Sequence, residues 1–209
     1  MIRRPPRSTL DRSSAASDVY KRQVLGFHQM GLKNVGTVLQ GRLFRTFDDI
    51  THLTEKLGEN ADHRICKGIY LESSNIAHTE KKSITTATNE AIDLMLESGA
   101  YTAIASHDTA VIEHSISSLK RIGMGPNIPD PRPNAGVSRI GKGPGYEFQM
   151  LLGVRGNIRR KLAKEGHRTR VYLPYGSRWY EYRKRRLREN PDVAWHVAKS
   201  IIMPWTNRR

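Results

Sequence analysis

Four residues near the C-terminus have the types and spacing of a carboxylate-binding surface. Spacing at i, i+3, i+4 and i+7 places side chains on one face of a helix, and this spacing is shared by Tyr182, Arg185, Arg186 and Glu189. Two adjacent arginines repel each other unless an anion lies between them, and a planar guanidinium pair suits bidentate binding of a carboxylate. Glu189 lies one turn from both arginines and can orient them. The pattern therefore predicts a helix face that binds a small acid.

A basic helix is more often a solvated surface than a binding site. Here Trp179, Tyr180 and Tyr182 stand beside the arginines, and aromatic side chains are poor choices for a fully solvated face. The composition favours a ligand-facing helix.

Residues at the ends of several short apolar runs, most of them polar, are further candidates. They are Gln40, Arg64 with Lys67 and Tyr70, Ser106 with His107, Gln149 with Leu151, and Tyr172. Gln40 could equally be a satisfied core residue, and His107 could merely help to cap a helix. Arg64 and Lys67 on one short strand are harder to explain as structure. Burying two cations costs several kcal/mol unless anions are supplied, and a bound dinucleotide would supply them.

The elements that position these residues alternate between strand and helix. Apolar runs predict strands at 35–44, 64–71, 101–106, 146–152 and 168–173. Helices are predicted from Thr46 or Asp48 to Gly58, over 82–98, from the cap Asp108, over 155–165 and from Ser177 to Asn190. Alternation at this spacing predicts parallel strands joined by right-handed crossovers.

The predicted fold class is α/β, a partial (β/α)8 TIM-type barrel with the last five β–α units present. Eight units make such a barrel in about 250 residues, so five leave it three units short. An open five-stranded sheet exposes an edge and part of a face, and the expectation is therefore a fragment. A doubly wound sheet is the alternative, but no Gly-rich phosphate fingerprint follows the first strand.

The two ends of the chain differ from its middle. Residues 1–23 are rich in Arg and Ser without apolar periodicity; we expect a disordered, non-native leader that resembles translated adapter sequence, and a domain over 24–209. Much of the net charge of +15 lies in residues 155–209, which hold 16 basic and 4 acidic residues. The Pro/Gly-rich segment 124–145 predicts a loop insertion. The single cysteine, Cys66, is interpreted as core filler in a reducing compartment.

Three C-terminal blocks carry a family resemblance. They read EFQMLLGVR, RVYLPYG and WYEYRKRRLRENP, and they resemble the C-terminal part of the barrel of the FAD-dependent proline dehydrogenase family, of the monofunctional bacterial type. Upstream, RICKGIYLE resembles the family's Arg-x-x-Lys-Gly-x-Tyr strand, VLQGRLFRT its Gln-bearing strand, and ASHD its Ala-Thr-His-Asn segment, with changes at Ser106 and Asp108.

The resemblance implies a role for each position. Arg64 would lie near the flavin N5 and Gln40 at the isoalloxazine edge, and the rest of the FAD site would be lined by Lys67, Gly68, Ser106 and His107. The proline ring would be walled by Tyr70, Leu151, Tyr172 and Tyr182. Its carboxylate would be bound by Arg185 and Arg186, with Glu189 holding one of them.

The implied reaction is oxidation of L-proline to Δ1-pyrroline-5-carboxylate, with electrons passed to a membrane quinone. We expect a cytoplasmic protein that can contact the inner face of the cell membrane peripherally, and no nucleic-acid partner. The rival interpretation is a basic nucleic-acid-binding module without catalysis, in which the tyrosines and tryptophans stack on bases.

Overall fold

A computed structural model describes residues 12–68, 72–132, 145–173 and 176. Five helices and five strands alternate along the described chain, with a short 3-10 helix at Gly58–Asn60. In chain order they are α1 Arg12–Gln29, β1 Thr37–Gln40, α2 Thr46–Leu57, β2 Asp62–Cys66, α3 Lys81–Glu97, β3 Tyr101–Ala105, α4 Thr109–Arg121, β4 Tyr146–Leu151, α5 Gly156–Lys164 and β5 Thr169–Tyr172.

The five strands form one parallel sheet in the order β1-β2-β3-β4-β5. Each right-handed crossover therefore advances in the same direction and leaves its helix on the same side of the sheet. A doubly wound sheet reverses its order and carries helices on both faces. The sequential order excludes that alternative for the described strands and confirms the predicted α/β class.

The hydrophobic core lies between the sheet and its helices. Leu39, Ile65, Ile104 and Phe148 pair in register across β1 to β4 and form one buried row. Against this row pack the predicted inward residues of α3, namely Ala91, Ile92, Met95 and Leu96, all of them buried. On α4, Ile112 and Leu119 are buried and Ile116 packs against the core. The apolar spacing of the helices was predicted correctly.

Two strands are shorter than their apolar runs. The first run, 35–44, contributes only Thr37–Gln40, and the second, 64–71, begins earlier and ends at Cys66. Gly68 follows with a φ of 87°, which favours glycine and turns the chain out of the sheet. Lys67 therefore lies just beyond β2 and not within it. Cys66, predicted as core filler, is only half buried at the strand end.

The helix caps were predicted in part. Asp108 caps α4 as expected, since its Oδ1 accepts from the Ala110 N–H at 3.0 Å. The predicted cap of α2 is wrong: Arg45 occupies that position, and its side chain makes no capping hydrogen bond to the first turn. Thr46 is instead buried in the first turn, where its hydroxyl donates to the Gln40 carbonyl at 2.5 Å. This bond ties α2 to the carboxyl end of β1.

Disorder was wrongly predicted for residues 12–23, which lie in helix α1. Val24 is buried in the core, and Lys21 Nζ contacts Asp49 Oδ1 on α2 at 2.5 Å. Arg45 and Lys21 also donate to Asp18 and lower the pKa of that carboxyl. Paired charges of this kind hold a polar helix that lacks apolar periodicity. Residues 1–11 lie outside the described part, and a non-native origin for the leader stays a prediction.

The first part of the predicted loop insertion is packed against the domain. Met124 is buried, and Arg132 Nη1 donates to the carbonyls of Leu96 and Ala100 at 2.8 and 3.1 Å. Asp130 pairs with the same guanidinium at 2.6 Å. Arg132 thus ties this segment to the C-terminal end of α3 and to the start of β3. Residues 133–144 lie outside the described residues.

Within the described part of the chain, no helix is both long and apolar enough to cross a membrane.

Candidate active site at the carboxyl ends of the strands

The sheet order brings the predicted strand-end residues to one edge of the sheet. Gln40 pairs with Cys66, Ala105 with Gln149, and Leu151 with Tyr172. Because parallel strands share a direction, their carboxyl ends meet at the same edge, where barrel enzymes place their active sites. Six of the predicted residues, on β1 to β3 and the loops that follow them, gather there: Gln40, Arg64, Lys67, Gly68, Ser106 and His107.

Gln40 presents a buried acceptor at this edge. Among the described residues its Oε1 has no hydrogen-bond partner. Gly68 lies directly against it, and a Cβ at position 68 would overlap that oxygen. An unsatisfied buried carbonyl costs free energy, so the position suits a ligand that brings an N–H. The absence of a side chain at Gly68 lets its backbone lie this close to Gln40 and to the Arg42 side chain.

Arg64 reaches across the sheet to Gln149. Its Nε donates to Gln149 Oε1 at 2.7 Å, although β3 lies between the two strands. The β3 residues between them on this face are Ala103 and Ala105. Adjacent strands lie about 4.8 Å apart, so two long side chains can meet over alanines but not over a bulkier residue. The bond draws Arg64 towards the carboxyl ends of the strands.

Lys67 is held by the loop after β3. Its ammonium contacts the Asp108 carboxylate and, at 2.6 Å, the Thr85 hydroxyl. Burial favours a raised pKa for Asp108, but the bonds from Lys67 and from the Ala110 N–H outweigh it and lower that pKa. Lys67 therefore already has an anionic partner within this chain, the Asp108 carboxylate. The Ala-Thr-His-Asn segment that ASHD resembles has Asn at this position.

His107 joins the ends of β3 and β4. Its Nε2 accepts from the Leu151 backbone N–H at 2.9 Å, so this nitrogen carries no proton and the ring is neutral. Ser106 is buried, and its hydroxyl accepts from the Asp108 N–H at 3.1 Å. Arg155, with a left-handed φ of 44°, donates to the His107 carbonyl at 3.1 Å. The cap function that His107 might have had belongs to Asp108.

Apolar side chains follow on β4 and β5. Leu151 is half buried, and its register partner Tyr172 is 51% exposed. Leu152 and Leu173 lie beside them and are also exposed. These residues give the edge an apolar side next to the polar one formed by β1 to β3.

The rest of the predicted substrate site lies outside the described residues. This concerns Tyr70 and the helix-face residues Tyr182, Arg185, Arg186 and Glu189. Their roles stay predictions.

Sequence reasoning missed a buried carboxylate below this edge. Glu147 on β4 is 1% exposed and binds Arg170 on β5 through two bonds, at 2.8 and 2.9 Å. Burial favours a raised pKa for Glu147, yet the bonds from Arg170 and Gln149 and the Arg170 charge bring it below its ordinary value. The Arg170 pKa rises through the same pair. The sequence signal that could have indicated this buried carboxylate is the alternation of Glu147, Gln149 and Leu151 along a buried strand.

Comparison with known proteins gives the family. The family model described as proline dehydrogenase matches residues 9–199. The chain is 36% identical over 174 residues to proline dehydrogenase of Deinococcus radiodurans, covering 83% of this chain and 50% of that protein. It is 36% identical over 170 residues to proline dehydrogenase 1 of Bacillus subtilis strain 168, covering 81% of this chain and 50% of that protein. The chain thus spans about half the length of these relatives.

Solved structures agree on the fold. Proline utilization A (PutA) from Bdellovibrio bacteriovorus, inactivated by N-propargylglycine, superposes with a TM-score of 0.64 at 22% identity, over 81% of this chain and 18% of that one. A PutA variant from Bradyrhizobium japonicum superposes with a TM-score of 0.64 at 18% identity, over 86% of this chain and 18% of that one. The sequential parallel sheet and its helices therefore share the fold of the matching part of these PutA chains. By its family match and its relatives, this chain belongs to the proline dehydrogenase family.

Proposed function

We propose that this protein contributes to the oxidation of L-proline to Δ1-pyrroline-5-carboxylate, with FAD as cofactor and a membrane quinone as the final electron acceptor. The proposal rests on family membership together with the strand-end residues described above. FAD supplies a ring that accepts a hydride, and the protein supplies orientation and electrostatics.

The observation that carries the proposal is the unsatisfied buried oxygen of Gln40. An isoalloxazine edge offers a ring N–H between two carbonyl oxygens. A primary amide accepts through its oxygen and donates through its nitrogen, so Gln40 matches that edge. Gly68 lets the backbone lie against the Gln40 amide, because a Cβ there would overlap Gln40 Oε1 and the Arg42 side chain. The donor set of this edge therefore fits the cofactor.

Arg64 adds a fixed positive charge to the same edge. Because Gln149 accepts from Nε, the two terminal nitrogens of the guanidinium lie outside this bond and can donate elsewhere. A cation beside a ring that gains negative charge stabilises the reduced form. We assign this role to Arg64, as the family resemblance implies.

Lys67, Ser106 and His107 take part less directly. We propose that Lys67 binds the anionic part of FAD, in competition with Asp108. Ser106 and His107 fix the loop between β3 and α4 beside it.

The substrate side of the site is proposed from the apolar wall and the resemblance together. Leu151 and Tyr172 would contact the proline ring, along with Tyr70 and Tyr182. Arg185 and Arg186 would bind the carboxylate, and Glu189 would orient them. Peripheral contact with the membrane on the cytoplasmic side, where a quinone is accessible, belongs to the same proposal.

Flavin titration followed by substrate addition tests the function. The purified chain is reconstituted with FAD, and L-proline is added without oxygen, with D-proline as the control. We expect a bound flavin whose visible absorbance is lost with L-proline only. A chain that binds no flavin would contradict the proposal, and salt-dependent DNA binding in its place would support the nucleic-acid-binding alternative.

A further inference from the structure

The inner face of the sheet, opposite the helices, carries a line of hydrogen bonds that runs through three strands. Arg170 on β5 donates to Glu147, Glu147 accepts from Gln149 Nε2 at 2.6 Å, and Gln149 Oε1 accepts from Arg64 Nε at 2.7 Å. Glu147 lies two residues before Gln149, further from the carboxyl ends of the strands. The line thus rises from the interior of the sheet to the edge where the site lies.

The chemistry of Glu147 fixes the direction of every bond above it. An ionised carboxylate accepts hydrogen bonds and donates none. Gln149 must therefore turn its NH2 group to Glu147, which leaves its carbonyl oxygen for Arg64. A neutral amide at position 147 would accept either orientation of Gln149. Only the carboxylate ensures that Arg64 always finds an acceptor.

Small residues on β3 make this reach possible. Ala103 is the register partner of both Arg64 and Glu147, and Ala105 is that of Gln149. Neither alanine extends above the sheet beyond its Cβ. Arg64 can then cross β3 and bond to Gln149 without moving either strand.

From these contacts we infer that Glu147 is a positioning residue, which orients Gln149 so that Gln149 aims the Arg64 guanidinium at the redox cofactor. The inference rests on the proposed function, because it assigns Arg64 to that cofactor. Glu147 itself lies below the edge and acts through Gln149 and Arg64.

The test compares Glu147→Gln with the unsubstituted chain and with a control, Glu165→Gln. Glu165 is an exposed carboxylate after α5, paired only loosely with Lys161 at 3.9 Å. FAD affinity, the midpoint potential of the bound flavin, and kcat and KM for L-proline are measured at pH 7. Thermal unfolding verifies that each variant is folded.

For E147Q we expect the affinity for oxidised FAD to stay within about twofold of that of the unsubstituted chain, since the contacts proposed for Gln40 and Lys67 remain and Arg64 is assigned to the charge of the reduced ring. Releasing Arg64 should lower the affinity for the reduced flavin about tenfold. This corresponds to a midpoint potential lower by about 30 mV for a two-electron couple. The kcat should fall while KM stays constant. E165Q should match the unsubstituted chain in each measurement.

The sign of the potential shift separates positioning from charge alone. Removing a buried negative charge without moving Arg64 would favour the negatively charged reduced flavin and raise the potential. An unchanged or raised potential in E147Q therefore overturns the inference while the proposed function stands. If the unsubstituted chain binds no flavin, the proposed function is wrong and the inference falls with it.

Arg170→Gln provides a second variant in case E147Q does not fold, because Arg170 is half exposed and its change leaves the core packing intact. Glu147 is then faced by Tyr101 on β3 and by Gln149 on its own strand, and Asp62 on β2 acts on Tyr101 beside it. Without Arg170, burial raises the pKa of Glu147, so the carboxyl gains a proton as pH falls. A protonated carboxyl can donate, which lets Gln149 turn and releases Arg64.

The readout is the potential of R170Q minus that of the unsubstituted chain at each pH from 8 to about 5. Positioning predicts a difference that becomes more negative as pH falls. Loss of charge alone predicts a difference that becomes less negative, and this result or a constant difference would overturn the inference.

Discussion

The two faces of the sheet are built from the same strands but have different roles. Towards the helices, Leu39, Ile65, Ile104 and Phe148 are at most 3% exposed and pair in one apolar row. On the inner face, alternate positions carry Arg64, Glu147, Gln149 and Arg170, joined by hydrogen bonds. The first face supplies burial and hence stability. The second fixes polar groups for chemistry, and the following changes probe this division from the largest expected effect to the smallest.

Phe148→Ala should cause the largest loss of stability. Its ring is buried beside Tyr146 and His167, and deleting a buried aromatic side chain costs about 3–5 kcal/mol. Chemical denaturation measures the free energy of unfolding. Val38→Ala, on the exposed inner side of β1, is the control and should change that free energy by less than about 0.5 kcal/mol. Equal effects at both positions would remove the distinction between the faces.

Arg170→Gln should destabilise the fold by about 2 kcal/mol at pH 7. Breaking a fully buried ion pair costs about 3–5 kcal/mol, and the effect here is smaller because Arg170 is half exposed. In the unsubstituted chain the folded pKa of Glu147 is lowered, so its contribution is present above the unfolded pKa and is lost as pH falls. In R170Q burial raises that pKa instead, and protonation at low pH removes the buried charge. The penalty should therefore be smaller at pH 5 than at pH 7, as measured by denaturation at both values. A penalty that grows at pH 5 would contradict the ion pair.

Asp108→Asn should strengthen FAD binding several-fold, on the order of 1 kcal/mol, because one charged hydrogen bond no longer competes for Lys67. Asparagine caps helices as well as aspartate does, so α4 keeps its cap. Titration of the flavin-free chain measures the affinity.

Asp108→Ala is the matched comparison. It releases Lys67 too, but it also removes the bond to the Ala110 N–H and should cost about 1 kcal/mol of stability. If D108N binds FAD no more tightly than the unsubstituted chain, Lys67 does not contact the cofactor.

Cys66→Ala should have the smallest effect, about 0.5 kcal/mol or less. The thiol is half buried and makes one weak bond, from Sγ to the Leu39 carbonyl at 3.6 Å. Thermal unfolding is sufficient to measure it. A loss above about 2 kcal/mol would mean that this side of the sheet is packed as tightly as the helix side.

Much of the fold could be predicted because its signals are local. Helix periodicity located the buried face of α3, and Asp108 was recognisable as a cap from its position before α4. The described residues of the strand-end list lie at one edge, since parallel strands must end there. The α2 cap failed because Thr46, although a good cap by type, is turned inward to the Gln40 carbonyl. Helix α1 was missed because ion pairs with Arg45 and Asp49 help to stabilise it, and such pairs leave no apolar periodicity in the sequence.

The sequence by itself determined the alternation of strands and helices, the parallel class and the residues at the strand ends. Only the tertiary structure decided which polar groups meet. Arg64 and Gln149 lie 85 residues apart and bond over Ala103 and Ala105, and Glu147 acquires Arg170 as its partner only when β5 docks beside β4. Periodicity is a property of neighbours along the chain, whereas the pairing of buried charges depends on strand order and register, which are set by burying the whole apolar face at once.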